Sequence, residues 1–311
     1  MIPFVSRADL AEQSIWIKHL SAAMPEEVIV PFADLTPEQK RQCDIAIVAN
    51  PDPNDLLSLP SLQWVHSVWA GVERMMNELS SPSFSIVRLV DAKLAETMSE
   101  AVLAWTLYLH RDMPSYAKQQ AQKSWFQKPM VRAQDRRIGV LGLGELGRVS
   151  SQRLVANGFP VAGWSRHEKQ IEGVECFHGE EGLALLLKQT DILVCLLPLT
   201  PETKGLLDQQ HLSLLPIGAS LINFARGPII DDEALLNKLE YDELSHAVLD
   251  VFAQEPLPEN HPYWCHDSVT VLPHISAPTN PVSASDIVAR NIQQYRLTGN
   301  LPPAVDKRRG Y

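Results

Sequence analysis

A glycine-rich segment near the middle of the chain joins an apolar strand to an amphipathic helix. The strand is predicted over Arg137–Leu141 and the helix over Leu146–Ala156, and between them Gly142, Gly144 and Gly147 form the pattern GxGxxG. In such a turn the first glycine permits the tight bend, the second lets backbone approach a pyrophosphate, and the third lets helix and strand pack closely. The helix N-terminus adds free N–H groups for a phosphate. The segment predicts a dinucleotide site, although an ordinary βα turn can also use glycines for steric reasons alone.

Short apolar runs alternate with helical stretches on both sides of this turn. Before it, the predicted strands are Ile2–Ser6, Val28–Phe32, Asp44–Ala49, Leu62–Trp69 and Ile86–Val90. After it, they are Val161–Trp164, Asp191–Leu197, Ala219–Ala225, Ala247–Phe252 and Val269–Leu272. The later runs are almost continuously apolar, as expected for parallel strands covered on both faces. The alternation predicts an α/β fold with doubly wound parallel sheets.

Helix starts are predicted wherever a capping residue precedes a helical pattern. Thr36 followed by Pro37 and Gln39 has this form. Thr97–Glu100 reads as a capping box that opens a long apolar helix through Arg111. Further helices are predicted after Thr200-Pro201-Glu202 and Asp231-Asp232-Glu233, and a last one over Pro281–Leu297, before a basic tail at Lys307–Arg309. The polar segment Lys118–Arg136 is predicted to be a projecting loop.

The charge and the cysteines limit the classes of partner. With 311 residues and a net charge of −10, the chain is long enough for two domains and is expected to repel nucleic acid and anionic membranes. Cys43, Cys176, Cys195 and Cys265 lie far apart and form no CxxC pair, which predicts free thiols and no metal site. No secretory signal or membrane-length apolar run is visible, so a cytoplasmic protein is expected.

The residues after the second strand of the dinucleotide unit bear on which dinucleotide binds. An NAD-binding fold usually places an acidic residue there to bond the ribose 2′-hydroxyl. Here Trp164 is followed by Ser165 and Arg166, with Lys169 three residues further on. An arginine can bond a 2′-phosphate with two N–H groups, whereas a carboxylate would repel it. NADP is therefore the predicted cofactor, with a solvated basic turn as the plainer interpretation.

Three polar side chains follow three later strands, and their chemistry matches the reduction of a ketone. Arg226, Glu255 and His274 should meet at the carboxyl edge of one parallel sheet, where ligands of such folds bind. A protonated imidazole can give a proton to the ketone oxygen, a carboxylate keeps it protonated, and a guanidinium holds a substrate carboxylate. Each has a plainer interpretation: a structural histidine, a solvated turn residue, and an arginine paired with Asp231 or Asp250.

The ordered motifs of the second half resemble one family. GLGELG, LLPLTPET, NFARGPIIDDEAL, VLDVFAQEPLP and LPHIS are similar to motifs of the D-isomer-specific 2-hydroxyacid dehydrogenases. WAGVE, WSR and SVTVLPH are most similar to the branch that reduces glyoxylate and hydroxypyruvate. The resemblance implies two Rossmann-like domains with the active site in the cleft between them. Residues 1–96 with 277–311 would bind the substrate, and residues 97–276 would bind NADP.

The resemblance also implies residue roles. His274 would be the acid/base, Glu255 would support it, and Arg226 would bind the substrate. The backbone of Ala70, Gly71 and Val72 would bind the substrate carboxylate. Beyond the glycines, Ser165, Arg166 and Lys169, further cofactor contacts would fall on Leu146, Pro198, Thr203, Ala225 and Asp250.

Two other functions share these motifs. A dinucleotide-sensing, corepressor-like binding protein could retain all of them, and a related enzyme could use NAD and another acid. The family also implies a homodimer. We expect its interface to include the long helix after Thr97 and the Lys118–Arg136 segment, since Trp125 and Phe126 are aromatic residues of the kind enriched at interfaces.

Overall fold

The computed structural model describes residues 1–79 and 82–306, so the predicted basic tail at Lys307–Arg309 lies outside it. The chain divides into two compact units, one formed by Met1–Lys93 with the segment from Thr279 onward, the other by Leu94–Pro278.

The strands are β1 Ile2–Ser6, β2 Ile29–Pro31, β3 Ile45–Ala49, β4 Trp64–Ser67, β5 Ser85–Val87, β6 Ile138–Leu141, β7 Val161–Ser165, β8 Val174–His178, β9 Ile192–Cys195, β10 Ala219–Asn223, β11 Leu244–Leu249 and β12 Val269–Val271. The α-helices are α1 Leu10–Ala23, α2 Pro37–Lys40, α3 Pro53–Leu57, α4 Glu73–Glu78, α5 Ala92–His110, α6 Met113–Ala121, α7 Glu145–Ala156, α8 Gly179–Lys188, α9 Gln209–Leu212, α10 Asp232–Glu240 and α11 Pro281–Thr298.

The first unit is built on a five-stranded parallel sheet in the order β2-β1-β3-β4-β5. Side chains alternate across it, so Ile2 and Phe4 of β1 belong to the core on one face and Val5 to the core on the other. Helices α1 and α11 cover the first face, through residues such as Leu20 and Val288. Both faces of the sheet are thus removed from water, which is the usual condition for parallel strands.

The second unit contains a seven-stranded parallel sheet in the order β12-β11-β10-β9-β6-β7-β8. Helices α5 and α7 pack on one face, with Val102 and Leu154 in the core, and α8 and α10 pack on the other, with Leu186 and Leu235. Both sheets are parallel and carry helices on their faces, so the predicted fold class is confirmed. The strand order places the carboxyl ends of β6, β7, β9, β10, β11 and β12 along one edge of the sheet.

Helix α5 begins at Ala92, five residues before the predicted start at Thr97. The carboxylate of Asp91 accepts a hydrogen bond of 2.9 Å from the N–H of Lys93 and satisfies a donor at the helix start. The Thr97–Glu100 sequence therefore lies inside the helix, and its interpretation as a capping box was wrong.

Thr200-Pro201-Glu202 begins a turn and not the predicted helix. The Thr203 hydroxyl donates to the carbonyl oxygen of Pro198 at 2.7 Å and accepts from the N–H of Thr200 at 2.8 Å, which closes the chain on itself. The next helix, α9, begins only after Asp208, whose carboxylate accepts from the N–H of His211.

The segment Lys118–Arg136 is only partly a loop. Its first residues, Lys118–Ala121, complete helix α6, and Ala133–Asp135 form a 3₁₀ turn near its end. The residues between them carry neither helix nor strand. Within the described chain, no helix is long and apolar enough to cross a membrane.

Candidate active site

The turn between β6 and α7 has the geometry that its glycines predict. Gly142 adopts a φ of +100°, which L side chains rarely tolerate. A Cβ on Gly147 would lie 1.8 Å from the carbonyl oxygen of Gly142, so only glycine lets α7 pack this closely on the turn. A Cβ on Gly144 would meet nothing within 4 Å, and α7 begins there without a side-chain cap. The open backbone and uncapped helix start fit a dinucleotide pyrophosphate.

The remaining predicted cofactor contacts of the second unit share its carboxyl edge. Leu146 lies in the first turn of α7, Pro198 and Thr203 follow β9, Ala225 follows β10, and Asp250 follows β11. Thr203 fixes this part of the edge through its bond to the carbonyl of Pro198. The roles of these residues stay predictions, but their common edge is where a ligand of such a sheet binds.

The predicted 2′-phosphate residues lie at the end of β7 and in the turn that follows it. The Ser165 hydroxyl donates to the carbonyl oxygen of His167 at 2.8 Å, which shapes the turn. Arg166 is exposed, and its Nη2 lies 3.1 Å from an oxygen of Glu202 in the loop after β9. Lys169 is exposed further along the same turn. No carboxylate of this turn occupies the position that an NAD-binding fold reserves for an acidic residue.

Arg226 is held by the turn that follows β10. The buried Asn223 accepts a hydrogen bond from the N–H of Ala225 at 3.1 Å and donates to the carbonyl of Arg226 at 3.2 Å. A Cβ on Gly227 would lie 2.0 Å from the carbonyl carbon of Phe252, so this turn packs directly on the backbone that follows β11. The Arg226 turn and the segment that leads to Glu255 are therefore neighbours.

Glu255 and His274 form a hydrogen-bonded pair. Nδ1 of His274 lies 2.8 Å from Oε2 of Glu255, and Oε1 of Glu255 accepts from the N–H of Phe252 at 3.0 Å. Because both carboxylate oxygens have a donor, the carboxylate is fixed in place. With Nδ1 donating to Glu255, Nε2 is the ring nitrogen that can exchange a proton with a ligand.

Electrostatics favour the ionised form of this pair. The hydrogen bond to Glu255 raises the pKa of His274, and the charges of Glu255 and Asp250 act in the same direction against burial and Arg226. Burial alone would raise the pKa of Glu255, but the bonds from His274 and Phe252 and the charge of Arg226 outweigh it, and the pKa is lowered. An imidazolium beside a carboxylate is the arrangement that a general acid requires.

His274 occupies a strained backbone position that Asp250 stabilises. Its φ is +54°, in the left-handed region, which costs about 1–3 kcal/mol for a residue other than glycine. Asp250 is only 2% exposed and accepts hydrogen bonds from the N–H groups of Ile275 at 2.7 Å and Ser276 at 2.9 Å. These bonds tie the residues after His274 to the end of β11 and stabilise the backbone on which the imidazole is carried.

The predicted substrate loop belongs to the first unit. Ala70, Gly71 and Val72 follow β4 and precede α4, with Val72 at the N-cap position of that helix. The N–H of Leu89 donates to the carbonyl of Trp69 at 3.1 Å, which ties the start of the loop to the residues after β5. The loop thus lies at the carboxyl edge of its own sheet, and its role stays a prediction.

Sequence reasoning missed two contributors to this region. Asn223 is a buried polar residue at the end of an apolar strand, a signal that could have identified it. Glu202 gave no such signal, because nothing in TPET predicts a partner in a distant loop. Among the described residues, no three histidine, cysteine or acidic side chains are grouped as a metal site would need.

Comparison with known proteins identifies relatives along nearly the whole chain. Residues 103–276 match the model for the NAD binding domain of the D-isomer specific 2-hydroxyacid dehydrogenases. A glyoxylate/hydroxypyruvate reductase A from Serratia proteamaculans (strain 568) is 37% identical over 95% of this chain and 96% of its own length.

Two solved structures are also similar. A D-isomer specific 2-hydroxyacid dehydrogenase from Xanthobacter autotrophicus Py2, in complex with NADPH and MES, is 36% identical with a TM-score of 0.92 over 100% of this chain and 99% of its own. An NADPH-dependent glyoxylate/hydroxypyruvate reductase from Sinorhizobium meliloti, in complex with NADP and sulfate, is 30% identical with a TM-score of 0.91 at the same coverage.

Proposed function

The chain belongs to the D-isomer specific 2-hydroxyacid dehydrogenase family, and we propose that it reduces short 2-oxo acids, glyoxylate and hydroxypyruvate among them, with NADPH. The observation that carries the proposal is the hydrogen-bonded His274–Glu255 pair beside the Arg226 turn, in which Glu255 raises the pKa of His274. This pair lies at the carboxyl edge of the seven-stranded sheet, where the Gly142–Gly147 turn also lies. The relatives that act on these substrates and those solved with NADP or NADPH support the finer assignment.

The proposed reaction adds a hydride to the carbonyl carbon and a proton to the carbonyl oxygen, and NADPH supplies the hydride. His274 gives its Nε2 proton to the oxygen as negative charge develops there. Glu255 holds the imidazole protonated and oriented through Nδ1. Arg226 binds the substrate with its planar guanidinium. The product is the 2-hydroxy acid, and the imidazole regains its proton from water.

The cofactor assignment depends on three features of the second unit. The Gly142–Gly147 turn would bind the pyrophosphate. Ser165 and Arg166, with Lys169 nearby, would bind the 2′-phosphate. Leu146, Pro198, Thr203, Ala225 and Asp250 would line the rest of the cofactor site. A family member that prefers NAD and another acid is the second candidate, and it would lack the selectivity that Arg166 is proposed to supply.

A dinucleotide-sensing binding protein with the same motifs is the other alternative. It is disfavoured by the relatives of the chain, since the protein that is 37% identical over 95% of this chain is a glyoxylate/hydroxypyruvate reductase. The strained backbone at His274 is of the kind concentrated at functional sites and fits either function.

The test is a spectrophotometric panel of 2-oxo acids with each reduced cofactor. We expect oxidation of NADPH with glyoxylate and hydroxypyruvate, and a kcat/KM at least tenfold lower with NADH, because losing a charge-assisted hydrogen bond costs about 1.5–3 kcal/mol. Bulky 2-oxo acids serve as negative controls. Binding of NADPH without turnover of any 2-oxo acid would favour the sensing protein instead.

We further propose a homodimer whose interface includes the long helix after Thr97 and the segment Lys118–Arg136. Trp125, Phe126 and Met130 are 93%, 64% and 77% exposed, which leaves three large apolar side chains in contact with solvent along one short segment, as is typical of an interaction site. Replacing both Trp125 and Phe126 by serine should shift a dimer toward monomer in sedimentation velocity at micromolar concentration. Trp264→Ser, at an exposed tryptophan outside this segment, is the matched control. A parent protein that sediments as a monomer would contradict the proposal.

A further inference from the structure

Arg166 and Glu202 connect the two loops on either side of the glycine turn. In the sheet, β6 lies between β7 and β9. The N–H of Gly142 donates to the carbonyl of Trp164, and the N–H of Leu196 donates to the carbonyl of Leu141, so the neighbouring strands stay paired to β6 up to the turn. Arg166 follows β7 and Glu202 follows β9, and their 3.1 Å ion pair therefore joins the loops that flank the turn.

The Glu202 carboxylate is a charged competitor for the guanidinium. Hydrogen bonds from the Thr200 hydroxyl and from its own backbone lower the pKa of Glu202, and Arg166 lowers it further. The carboxylate is thus negative at neutral pH. Both side chains are well exposed, at 38% for Arg166 and 62% for Glu202, so water can replace either partner and the pair can open without unfolding the loops.

We propose that Glu202 is a cofactor-specificity residue, which competes with the 2′-phosphate of the dinucleotide for Arg166 and so limits the preference for the phosphorylated cofactor. The inference rests on the proposed function, since it assumes that Arg166 binds that phosphate. A guanidinium can bind a bidentate anion through its Nη1/Nη2 edge or its Nε/Nη2 edge, and here the Glu202 carboxylate contacts Nη2, which belongs to both. A second anion must displace the carboxylate or share the guanidinium against its repulsion.

A cofactor without the 2′-phosphate neither displaces the Glu202 carboxylate from Arg166 nor is repelled by it. Its ribose carries a neutral hydroxyl at the 2′ position, and the Arg166–Glu202 pair can remain closed when it binds. Removing the charge of Glu202 should therefore strengthen binding of 2′-phosphorylated ligands and leave unphosphorylated ones unchanged. The cofactor selectivity of this chain then depends on how the Glu202 carboxylate and the 2′-phosphate compete for the Arg166 guanidinium.

The test is isothermal titration calorimetry with 2′,5′-ADP and 5′-AMP as probes, which requires no turnover. Glu202→Gln should bind 2′,5′-ADP roughly twofold to tenfold more tightly than the parent, with a gain that shrinks at high salt. Its affinity for 5′-AMP should not change. Glu168→Gln removes one negative charge from the turn after β7 at a side chain outside the pair, and it should match the parent. Arg166→Gln should lose the preference for 2′,5′-ADP.

The outcomes separate this inference from the cofactor assignment. Equal or weaker binding of 2′,5′-ADP by Glu202→Gln, while Arg166→Gln loses its preference, overturns the competition and leaves NADPH as the cofactor. A parent that binds 2′,5′-ADP no better than 5′-AMP, with Arg166→Gln unchanged, overturns both. An equal gain in Glu168→Gln would show that net charge, and not the ion pair, is responsible, and this too overturns the inference.

Discussion

Replacing His274 by asparagine is expected to lower kcat for glyoxylate reduction about 10²- to 10⁴-fold, the usual contribution of a positioned general acid. Asparagine is the informative substitution because it tolerates the left-handed backbone, with φ at +54°, that His274 adopts. Alanine would add backbone strain to the loss of the proton donor. The measurement is kcat with saturating NADPH, together with the dissociation constant of NADPH by fluorescence.

Binding of NADPH should survive the substitution, because the Gly142–Gly147 turn and Arg166 are untouched. His19→Asn is the matched control, since His19 lies on helix α1 of the first unit and has no proposed role in either site. It should retain the parent's kcat. A fall of less than tenfold in His274→Asn would show that the proton comes from another group.

Replacing Glu255 by glutamine should lower kcat roughly tenfold to hundredfold near neutral pH and move the pH dependence of the reaction. The bond to Glu255 is the largest cause that raises the pKa of His274, so its loss lowers that pKa. Reduction requires the protonated imidazole, and activity falls as the pH rises through the pKa of His274. The fall at high pH should therefore begin at a lower pH in the variant than in the parent.

The measurement is a profile of kcat/KM against pH in the reductive direction, with a deuterium-labelled cofactor to verify that hydride transfer limits the rate. Glu259→Gln is the matched control, an exposed carboxylate close in sequence that makes no bond to His274. Its profile should coincide with that of the parent. A high-pH fall at the same position in Glu255→Gln and the parent would rule out the proposed pairing.

Much of the structure of the second unit could be predicted from the sequence, because its strands and its glycine turn depend on residues that are close together in the chain. The glycine pattern specifies a turn by steric exclusion, as the position of Gly147 against Gly142 shows. The continuous apolar runs predict buried parallel strands, and polar side chains after such strands meet at one edge. Neither inference requires knowledge of distant partners.

The predictions were wrong or incomplete where contacts between residues far apart in the sequence determine the local structure. Thr97–Glu100 matches the sequence pattern of a capping box, but the helix begins earlier, just after Asp91. The sequence alone does not show which of these two possible helix starts is used. Strand β8 was missed because Val174–His178 lies at the sheet edge, with a burial pattern that is neither apolar throughout nor alternating. The ion pair of Arg166 with Glu202 joins residues 36 positions apart, beyond any local pattern.

The close approach of Gly227 to Phe252 has a consequence for engineering this chain. The spacing between the Arg226 turn and the Glu255 segment is set by backbone against backbone, not by the size of a side chain between them. Any side chain at position 227 would force these two backbones apart, because a Cβ there would lie 2.0 Å from the carbonyl carbon of Phe252. A mutant library aimed at the residues around Arg226 or Glu255 should therefore exclude Gly227 from the randomised positions.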